Sequence, residues 1–264
     1  MKDLMGIILA AGKGSRMQSD LPKVLHQVNG QAMVRRCVDA MEQAGATRIV
    51  VVVGYRQELV RDELGDRVEY AVQEEQLGTG HAVMSAKPHL EQHDGRVLIV
   101  YGDNPLISAN TLRQLAEQSE SPQSGGALLT ISLENPPAAG RIIRDEAGNF
   151  VRIVEEKDCT EEQKKIQEVN VGTYCFRSAP LLEALSKLRS NNAQGEYYLT
   201  DVPEHMAASG FPVGTVATDD IFEALGVNDK RHLCFAETAE DIRFAEQLYP
   251  LIDATVNMSR TEAH

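Results

Sequence analysis

Short apolar segments alternate with predicted helices along the N-terminal part of the chain, and this alternation limits the fold more than any other pattern in the sequence. The predicted strands are residues 5–9, 48–53, 68–72 and 97–101, and the predicted helices between them are 33–43 and 57–64. Short apolar runs are typical of buried strands, and apolar residues at helical spacing are typical of helices that cover them. A repeated strand, helix, strand order builds a parallel sheet with right-handed crossovers. The sequence therefore predicts an α/β fold.

A glycine-rich loop follows the first predicted strand, with the sequence LAAGKGSRM over residues 9–17. Glycine adopts backbone angles that are costly for residues with a Cβ, so we expect Gly12 and Gly14 to turn consecutive N–H groups inward. A concave arrangement of N–H groups binds anions. The loop is therefore predicted to accept a phosphate group.

Three basic residues accompany this loop, namely Lys13, Arg16 and Lys23. An arginine offers a planar fork to phosphate oxygens, whereas a lysine acts as a mobile point charge. Pro22 stiffens the backbone just before Lys23. A surface turn with scattered, solvated cations is the alternative, but the cations cluster directly after a strand in an acidic protein, which favours a binding loop.

The loop differs from two commoner phosphate-binding loops. The dinucleotide-binding fingerprint requires a third glycine at position 17, where this chain has Met17. The P-loop requires Gly-Lys-Ser/Thr after four intervening residues, and this segment lacks it. Both a dinucleotide-dependent oxidoreductase and a P-loop enzyme are therefore disfavoured.

Two later loops also follow predicted strands. The amide of Gln73, at the start of residues 73–82, can pair with a donor and an acceptor on a base edge. A helix-starting turn capped by Thr79 explains the same segment equally well on local grounds. Asp103 follows the strand at 97–101, where a carboxylate can hold a magnesium ion that bridges phosphate oxygens. A local backbone cap is the alternative for Asp103, but ligands of parallel sheets lie off the carboxyl ends of the strands, which favours the metal.

Composition excludes several classes of partner. The chain has 264 residues, 42% hydrophobic and 25% charged, which suffices for one large α/β domain with a small addition. Its formal net charge of −13 argues against nucleic acid or an anionic membrane as the main partner. The four cysteines lack a Cys-x-x-Cys pair, so neither a zinc site nor a disulfide framework is indicated. With no signal-peptide pattern and no membrane-spanning apolar run, we expect a cytoplasmic protein.

The predicted strands become shorter from Gly126 onward, over residues 127–133, 141–144 and 151–154. We expect these strands to form an antiparallel extension that supplies the other wall of a cleft. Residues 230–248 have the Glu, Ala and Leu content of a helix, and the polar residues 253–264 are predicted to fray.

Several motifs carry a resemblance to a known family. Residues 9–17 and 21–25 (LPKVL) resemble the signature of sugar-phosphate nucleotidylyltransferases, and SDLPKVLH at 19–26 resembles its N-acetylglucosamine-1-phosphate uridylyltransferase branch. The resemblance implies a Rossmann-like mixed sheet flanked by helices, the nucleotide-diphospho-sugar transferase fold, with a small antiparallel extension on the sugar side. We expect a nucleotidyltransferase domain at 1–228 and a C-terminal helix and tail at 229–264.

The resemblance also implies roles for individual residues. It implies Arg16 and Lys23 as catalytic residues and Asp103 and Asn228 as ligands of Mg²⁺, although local sequence does not distinguish Asn228 from a helix N-cap. The implied nucleotide-binding residues are Leu9, Ala10, Ala11, Gly12, Gly14, Lys23, Gln73, Gly78 and Thr79. The implied sugar-binding residues are Tyr101, Gly140, Glu155, Asn170, Tyr198 and Thr200.

The activity implied by the resemblance is the joining of UTP and N-acetylglucosamine 1-phosphate, with release of pyrophosphate. The family commonly has Gly-Tyr-Gly-Arg-Ile where this chain has Ala138-Ala139-Gly140-Arg141-Ile142, so another hexose 1-phosphate is the alternative substrate. A nucleotide-sugar sensor without turnover is the alternative from another class. Family members commonly continue into hexapeptide repeats, which this sequence lacks, so a stand-alone enzyme and a piece of a longer protein both remain open. The oligomeric state remains open between a monomer and a homo-oligomer.

Overall fold

The computed structural model describes residues 4–121, 123–224 and 226–243. Its strands are β1 (Leu4–Ala10), β2 (Gln27–Val28), β3 (Gln31–Ala32), β4 (Arg48–Val53), β5 (Glu69–Val72), β6 (Arg96–Tyr101), β7 (Gly126–Ser132), β8 (Arg141–Arg144), β9 (Phe150–Val154), β10 (Glu168–Arg177) and β11 (Val213–Ala217). Its helices of at least one α-turn are α1 (Met33–Gln43), α2 (Gln57–Leu64), α3 (Thr79–Ser85), α4 (Lys87–Leu90), α5 (Ala109–Gln118), α6 (Ser178–Lys187), α7 (Val202–Ala208) and α8, which is helical at 230–243.

The central layer is a mixed sheet with the strand order β11-β7-β10-β6-β1-β4-β5. The predicted parallel sheet is confirmed for β1, β4, β5 and β6, which pair in parallel. Strand β10 runs antiparallel to both of its neighbours, β6 and β7. Its direction makes the sheet mixed, as the nucleotide-diphospho-sugar transferase fold requires.

Helices cover both faces of this sheet. Helices α1, α2 and α5 pack on one face through an apolar cluster that contains Ile8 and Val51. Helices α3, α4, α6 and α7 pack on the other face through a second cluster that contains Ile7 and Val50. Successive residues of a strand point to opposite faces, so β1, and β4 after its first residue Arg48, must be apolar on both faces to serve both clusters. This requirement explains the continuous apolar runs in the sequence.

The predicted antiparallel extension is present, but it is smaller than expected. Strands β8 and β9 pair antiparallel, and β8 joins the start of β10 through Val169 and Arg141. The prediction that residues 127–133 belong to this extension was wrong. Strand β7 lies in the main sheet between β10 and β11, because its residues 127–131 are buried on both faces.

Helix α8 begins at the predicted position, at residue 230, and it is helical as far as residue 243. The rest of the predicted helix at 230–248 and the predicted frayed tail at 253–264 lie outside the described residues. Within those residues, the helices are too short or too polar to cross a bilayer.

Candidate active site

The carboxyl ends of β1 and β6 lie side by side and carry two of the predicted loops. Leu9 is in register with Tyr101, and the Gly102 N–H donates to the Leu9 carbonyl oxygen at 2.9 Å. The predicted residues Leu9, Ala10 and Ala11 are buried at the end of β1. The loop at 11–14 and the segment at 102–106 therefore begin as neighbours at one edge of the sheet.

Gly14 makes room for Lys23. Its φ is +66°, in the left-handed region, and a Cβ on Gly14 would lie 2.5 Å from the Lys23 Cβ. Gly12 does not have a positive φ, so of these two glycines only Gly14 has the left-handed backbone. A Cβ on Gly12 would meet no atom within 4 Å, so the space beside Gly12 is open. Gly12 thus leaves the outside of the loop open, whereas Gly14 lets Lys23 pack closely against the loop backbone.

Four predicted residues, Arg16, Lys23, Asp103 and Asn228, converge in what we call the charged corner. The Lys23 ammonium pairs with the Asp103 carboxylate and donates to Asn228 Oδ1 at 3.3 Å. Arg16 Nη2 donates to the same Asn228 oxygen at 2.9 Å. Two cations and two oxygen donors therefore meet at one point, although Asn228 is 205 residues away from Lys23 in the chain.

Asn228 reaches the corner through its backbone neighbours. The Val227 N–H donates to the Asp103 carbonyl oxygen at 2.8 Å. The Asn228 amide nitrogen donates to the Gly226 carbonyl at 3.2 Å, which turns Oδ1 toward the cations. The alternative of a helix N-cap is excluded for the Asn228 side chain, since Asp229 accepts from the N–H groups of Arg231 and His232 at the start of α8.

The second predicted loop is fixed by contacts with residues 197–199. Gly78 has a φ of +111°, and a Cβ there would lie 2.6 Å from the Tyr197 carbonyl oxygen. The Thr79 hydroxyl accepts from the Leu199 N–H at 3.1 Å, so Thr79 does not act as the helix cap that the alternative required. The buried Gln73 amide nitrogen donates to the Gly78 carbonyl at 3.1 Å and thereby holds the loop as well.

A second group of predicted residues, Gly140, Glu155, Asn170 and Thr200, forms what we call the sugar-side wall. The Thr200 hydroxyl donates to Glu155 Oε1 at 2.8 Å, and the Asn170 N–H donates to the Gly140 carbonyl at 2.9 Å. A Cβ on Gly140 would come within 3.8 Å of the Glu155 carboxyl carbon. Burial raises the pKa of Glu155, and the Thr200 hydrogen bond opposes that rise.

Tyr101 connects the wall to the end of β6. A Cβ on Gly172, whose φ is +84°, would clash with the Tyr101 ring, so only glycine leaves room for that ring here. The Asn170 amide nitrogen donates to the Tyr174 hydroxyl at 2.8 Å. Burial raises the pKa of both tyrosines well above its ordinary value, which keeps both hydroxyls protonated.

Tyr198, the remaining predicted residue, lies mostly buried beside Thr200. Burial raises the pKa of Tyr198 to about 12, with further contributions from the Asp158 and Glu155 carboxylates. The neighbouring Asp201 has its pKa raised to about 6, first by burial and then by Glu204, Glu155 and Asp158. The surroundings of Tyr198 are therefore acidic, in contrast to the two cations of the charged corner.

Three residues without a sequence prediction support the predicted ones: Tyr174, Tyr197 and Glu223. Tyr174 supports Asn170, and the carbonyl of Tyr197 accepts from the Gly80 N–H at 2.8 Å. The buried Glu223 carboxylate lies 2.7 Å from the Thr111 hydroxyl. The local sequence carried no signal for Glu223, since its neighbours Phe222 and Ala224 are only partly buried and its partner Thr111 is 112 residues away.

A cavity of about 490 Å³ lies outside this site, between α1, residues 105–109 and α8. Its lining includes Arg36 and Glu240, which form an ion pair across it. Its lining residues do not include any predicted site residue. The candidate site is therefore identified by convergent side chains at the sheet edge and not by cavity size.

Comparison with known proteins shows which family the chain belongs to. The chain is 47% identical over 230 residues to the bifunctional protein GlmU of Enterococcus faecalis, which covers 87% of this chain and 50% of the relative. It is 50% identical over 228 residues to GlmU of Carboxydothermus hydrogenoformans, covering 86% of this chain and 51% of the relative. The chain thus spans about half the length of the curated relatives it matches. A family model described as the MobA-like NTP transferase domain matches residues 6–204, and the chain belongs to that family.

Proposed function

We propose that the chain joins UTP to N-acetylglucosamine 1-phosphate, forming UDP-N-acetylglucosamine and pyrophosphate. The observation that carries this proposal is the convergence of Arg16, Lys23, Asp103 and Asn228 at the carboxyl ends of β1 and β6. The family and the similarity to proteins named GlmU support the reaction and the choice of substrates.

The main obstacle to this reaction is repulsion between two polyanions. A phosphate oxygen of the sugar phosphate attacks the α-phosphorus of UTP in line, and the bond between the α- and β-phosphates breaks as pyrophosphate leaves. The attacking phosphate is already ionised, so a general base is unnecessary. The protein therefore contributes positioning and charge neutralisation, with Arg16 and Lys23 holding the charge that develops on the α-phosphate and the leaving group.

The charged corner also fits a divalent metal ion, which nucleotidyltransferases of this family generally use. The Asp103 carboxylate and Asn228 Oδ1 both contact the Lys23 ammonium, so two hard oxygen donors already converge on one cation. Mg²⁺ prefers one or two protein oxygens together with substrate phosphates, which matches this donor set. We propose Asp103 and Asn228 as ligands of Mg²⁺, which when bound neutralises phosphate charge.

The two loops and the sugar-side wall supply selectivity in this proposal. The Gln73 amide pairs with the uracil edge, while Gly78 and Thr79 border the base and ribose. Glu155 accepts hydrogen bonds from sugar hydroxyls, and Asn170 serves one more. Tyr101, Gly140, Tyr198 and Thr200 shape the pocket for the sugar.

A pyrophosphate-release assay with UTP, N-acetylglucosamine 1-phosphate and Mg²⁺ tests the reaction. We expect Asp103→Ala to retain the fold and to lower turnover about 100-fold or more, as when another preorganised electrostatic group is removed. Asp94→Ala is the matched control, because Asp94 is exposed just before the opposite end of β6 and should leave the rate unchanged. Absence of turnover in the wild-type chain would instead support a nucleotide-sugar sensor. A near-normal rate for Asp103→Ala would contradict the proposed role of Asp103.

Ala139 is the reason to test a second substrate, another hexose 1-phosphate. Ala139 is partly exposed beside Gly140, at a position where the resembled pattern has tyrosine, so the wall has less bulk there. A panel of hexose 1-phosphates assayed with UTP distinguishes the two substrates. The proposal requires kcat/KM to be highest for N-acetylglucosamine 1-phosphate, and a higher value for an unacetylated hexose would favour the alternative.

A further inference from the structure

A buried carboxylate lies between the charged corner and the N-terminus of helix α5. Glu223 is only 3% exposed, although charged side chains are almost never fully buried unless their oxygens are satisfied. Its two oxygens lie 2.9 Å and 2.7 Å from the Thr111 hydroxyl. It also accepts from the Ser108 N–H at 3.1 Å and from the Thr218 hydroxyl at 3.3 Å. The mechanism proposed above leaves this group without a role.

The location of these donors fixes the carboxylate in space. Ser108 is the N-cap of α5 and accepts from the Thr111 N–H, so both donors belong to the rigid first turn of that helix. The positive end of the helix dipole favours a negative charge at this position. Helix α5 itself follows directly from β6 and the segment that carries Asp103. Glu223 is therefore attached to the same part of the fold as Asp103.

Two backbone hydrogen bonds, at Glu223 and at Val227, join this part of the chain to the segment that carries Asp103. The Asn104 amide nitrogen donates to the Glu223 carbonyl at 2.9 Å, and Asn104 is itself buried. Four residues later, the Val227 N–H donates to the Asp103 carbonyl at 2.8 Å, and the Val227 side chain is fully buried. Residues 223 and 227 are thus held at two points, and the next residue is Asn228.

We propose that Glu223 is a positioning residue for Asn228. Its contacts with Thr111 and Ser108 hold Glu223 beside Asn104, and the Val227 N–H is bound to the Asp103 carbonyl. This arrangement places Asn228 Oδ1 beside the Asp103 carboxylate. This inference rests on the proposed function, since it assumes that Asn228 binds the metal ion. Residues that orient a metal ligand typically change metal affinity 10- to 100-fold when they are replaced.

The test measures Mn²⁺ binding by electron paramagnetic resonance, in the presence of saturating UDP-N-acetylglucosamine. Four proteins are compared: the wild-type chain, Asn228→Ala, Glu223→Gln and the double variant. We expect Glu223→Gln to raise the Mn²⁺ dissociation constant about tenfold. Because Glu223 acts through Asn228, the double variant should bind Mn²⁺ as Asn228→Ala does, without a further loss.

Three other results would contradict the positioning role of Glu223 or the assignment of Asn228 as a metal ligand. Unchanged Mn²⁺ affinity in Glu223→Gln overturns the positioning role, as does a further loss of the same size in the double variant. If Asn228→Ala binds Mn²⁺ like the wild-type chain, the metal assignment within the proposed function fails, and the positioning role fails with it.

A second pair of variants keeps the test valid if Glu223→Gln does not fold. Thr111→Val removes the hydroxyl that contacts Glu223 but keeps the side-chain shape, and it should weaken Mn²⁺ binding. Thr111→Ser keeps the hydroxyl and should retain wild-type affinity. Glu117→Gln, an exposed change on the same helix, is the control for α5. Equal affinities for Thr111→Val and Thr111→Ser would overturn the proposal.

Discussion

The positions of Gly14 and Lys23 depend on each other. Because Gly14 has no side chain, the Lys23 Cβ can pack directly against its backbone, and the Lys23 ammonium can extend to Asp103 and Asn228. Pro22 precedes Lys23 and has a φ of −48°, so the backbone enters this contact in a restricted conformation. One bare backbone position thus determines where the central positive charge of the site lies.

Asp201 should make the stability of the folded chain depend on pH. Its pKa is about 6 in the folded chain against an ordinary value of 3.8. Between these values the folded state binds a proton that the unfolded state has lost, so this group lowers stability as the pH rises from 3.8 through 6, and the penalty is complete above 6. The shift corresponds to at most ~3 kcal/mol, and because Asp201 is partly exposed we expect about 1 kcal/mol.

Asp201→Asn should therefore raise the free energy of unfolding by about 1 kcal/mol at pH 7.5. Its advantage over the wild-type chain should shrink as the pH falls below 6. Urea unfolding at several pH values measures the difference, with the exposed Glu117→Gln as control. A gain that is independent of pH would show that burial and neighbouring carboxylates are not its cause.

At the residue scale, sequence predicted side chains better than backbone geometry. Lys23 and Asp103 were predictable because each is a charged side chain in a loop of restricted conformation near a strand end. The sequence could not show that Gly14 and not Gly12 has a positive φ, because a glycine shows only what the backbone tolerates, not what packs against it. Glu223 was not predictable, because its role depends on Thr111, which is distant in sequence.

At the scale of elements, strand β10 shapes the sugar-side wall through a local irregularity. Its pairing with β7 shifts register between Asn170 and Tyr174, and Gly172 lies within that interval. The irregularity opens space for the Tyr101 ring at the end of β6. A substitution at Gly172 should therefore affect the sugar-side wall more than the nucleotide loops.

We expect Gly172→Ala to lower the free energy of unfolding by about 1–3 kcal/mol, from left-handed strain and from contact with Tyr101. It should also raise the KM for the sugar phosphate more than the KM for UTP. Gly148→Ala is a matched control, because Gly148 has the same φ of +84° but a Cβ there would meet no atom within 4 Å. If both variants show the same KM values, contact with Tyr101 does not control the wall.

Most elements of the first half were predictable, and those of the second half were less so. Helices α1 and α2 have the predicted bounds, because one apolar face of each packs on the sheet. The membership of β7 in the main sheet was not predictable, since a short apolar run does not show which strand it pairs with. Strand direction is likewise absent from a local pattern, so the reversal of β10 required the structure.

At the scale of the whole molecule, one sheet serves two apolar clusters. Ile7 belongs to one cluster and its neighbour Ile8 to the other, and both side chains are fully buried. Neither cluster can therefore lose its packing without loss of a strand that the other cluster needs. A third, smaller cluster contains Val227 and packs α8 against Met33 of α1.

Ile7→Val and Ile8→Val should each lower the free energy of unfolding by about 0.5–1.5 kcal/mol. Both should shift the urea midpoint without changing the slope, and fluorescence and circular dichroism should give the same single transition, because the clusters share β1. Val151→Ala, at an exposed position of β9, is the control and should have little effect. Separate transitions for the two isoleucine variants would show that the clusters unfold independently.

The reversed direction of β10 has a consequence for how such a molecule can diversify. Its first residues lie at the edge where β1 and β6 end, and they are joined there to the hairpin of β8 and β9. Mutation or lengthening of that hairpin can therefore change the wall that the proposed function assigns to the sugar, while Arg16, Lys23 and Asp103 keep their places. If the proposed function holds, descendants of one ancestor can thus acquire new sugar substrates over evolutionary time and retain a common phosphate-binding corner.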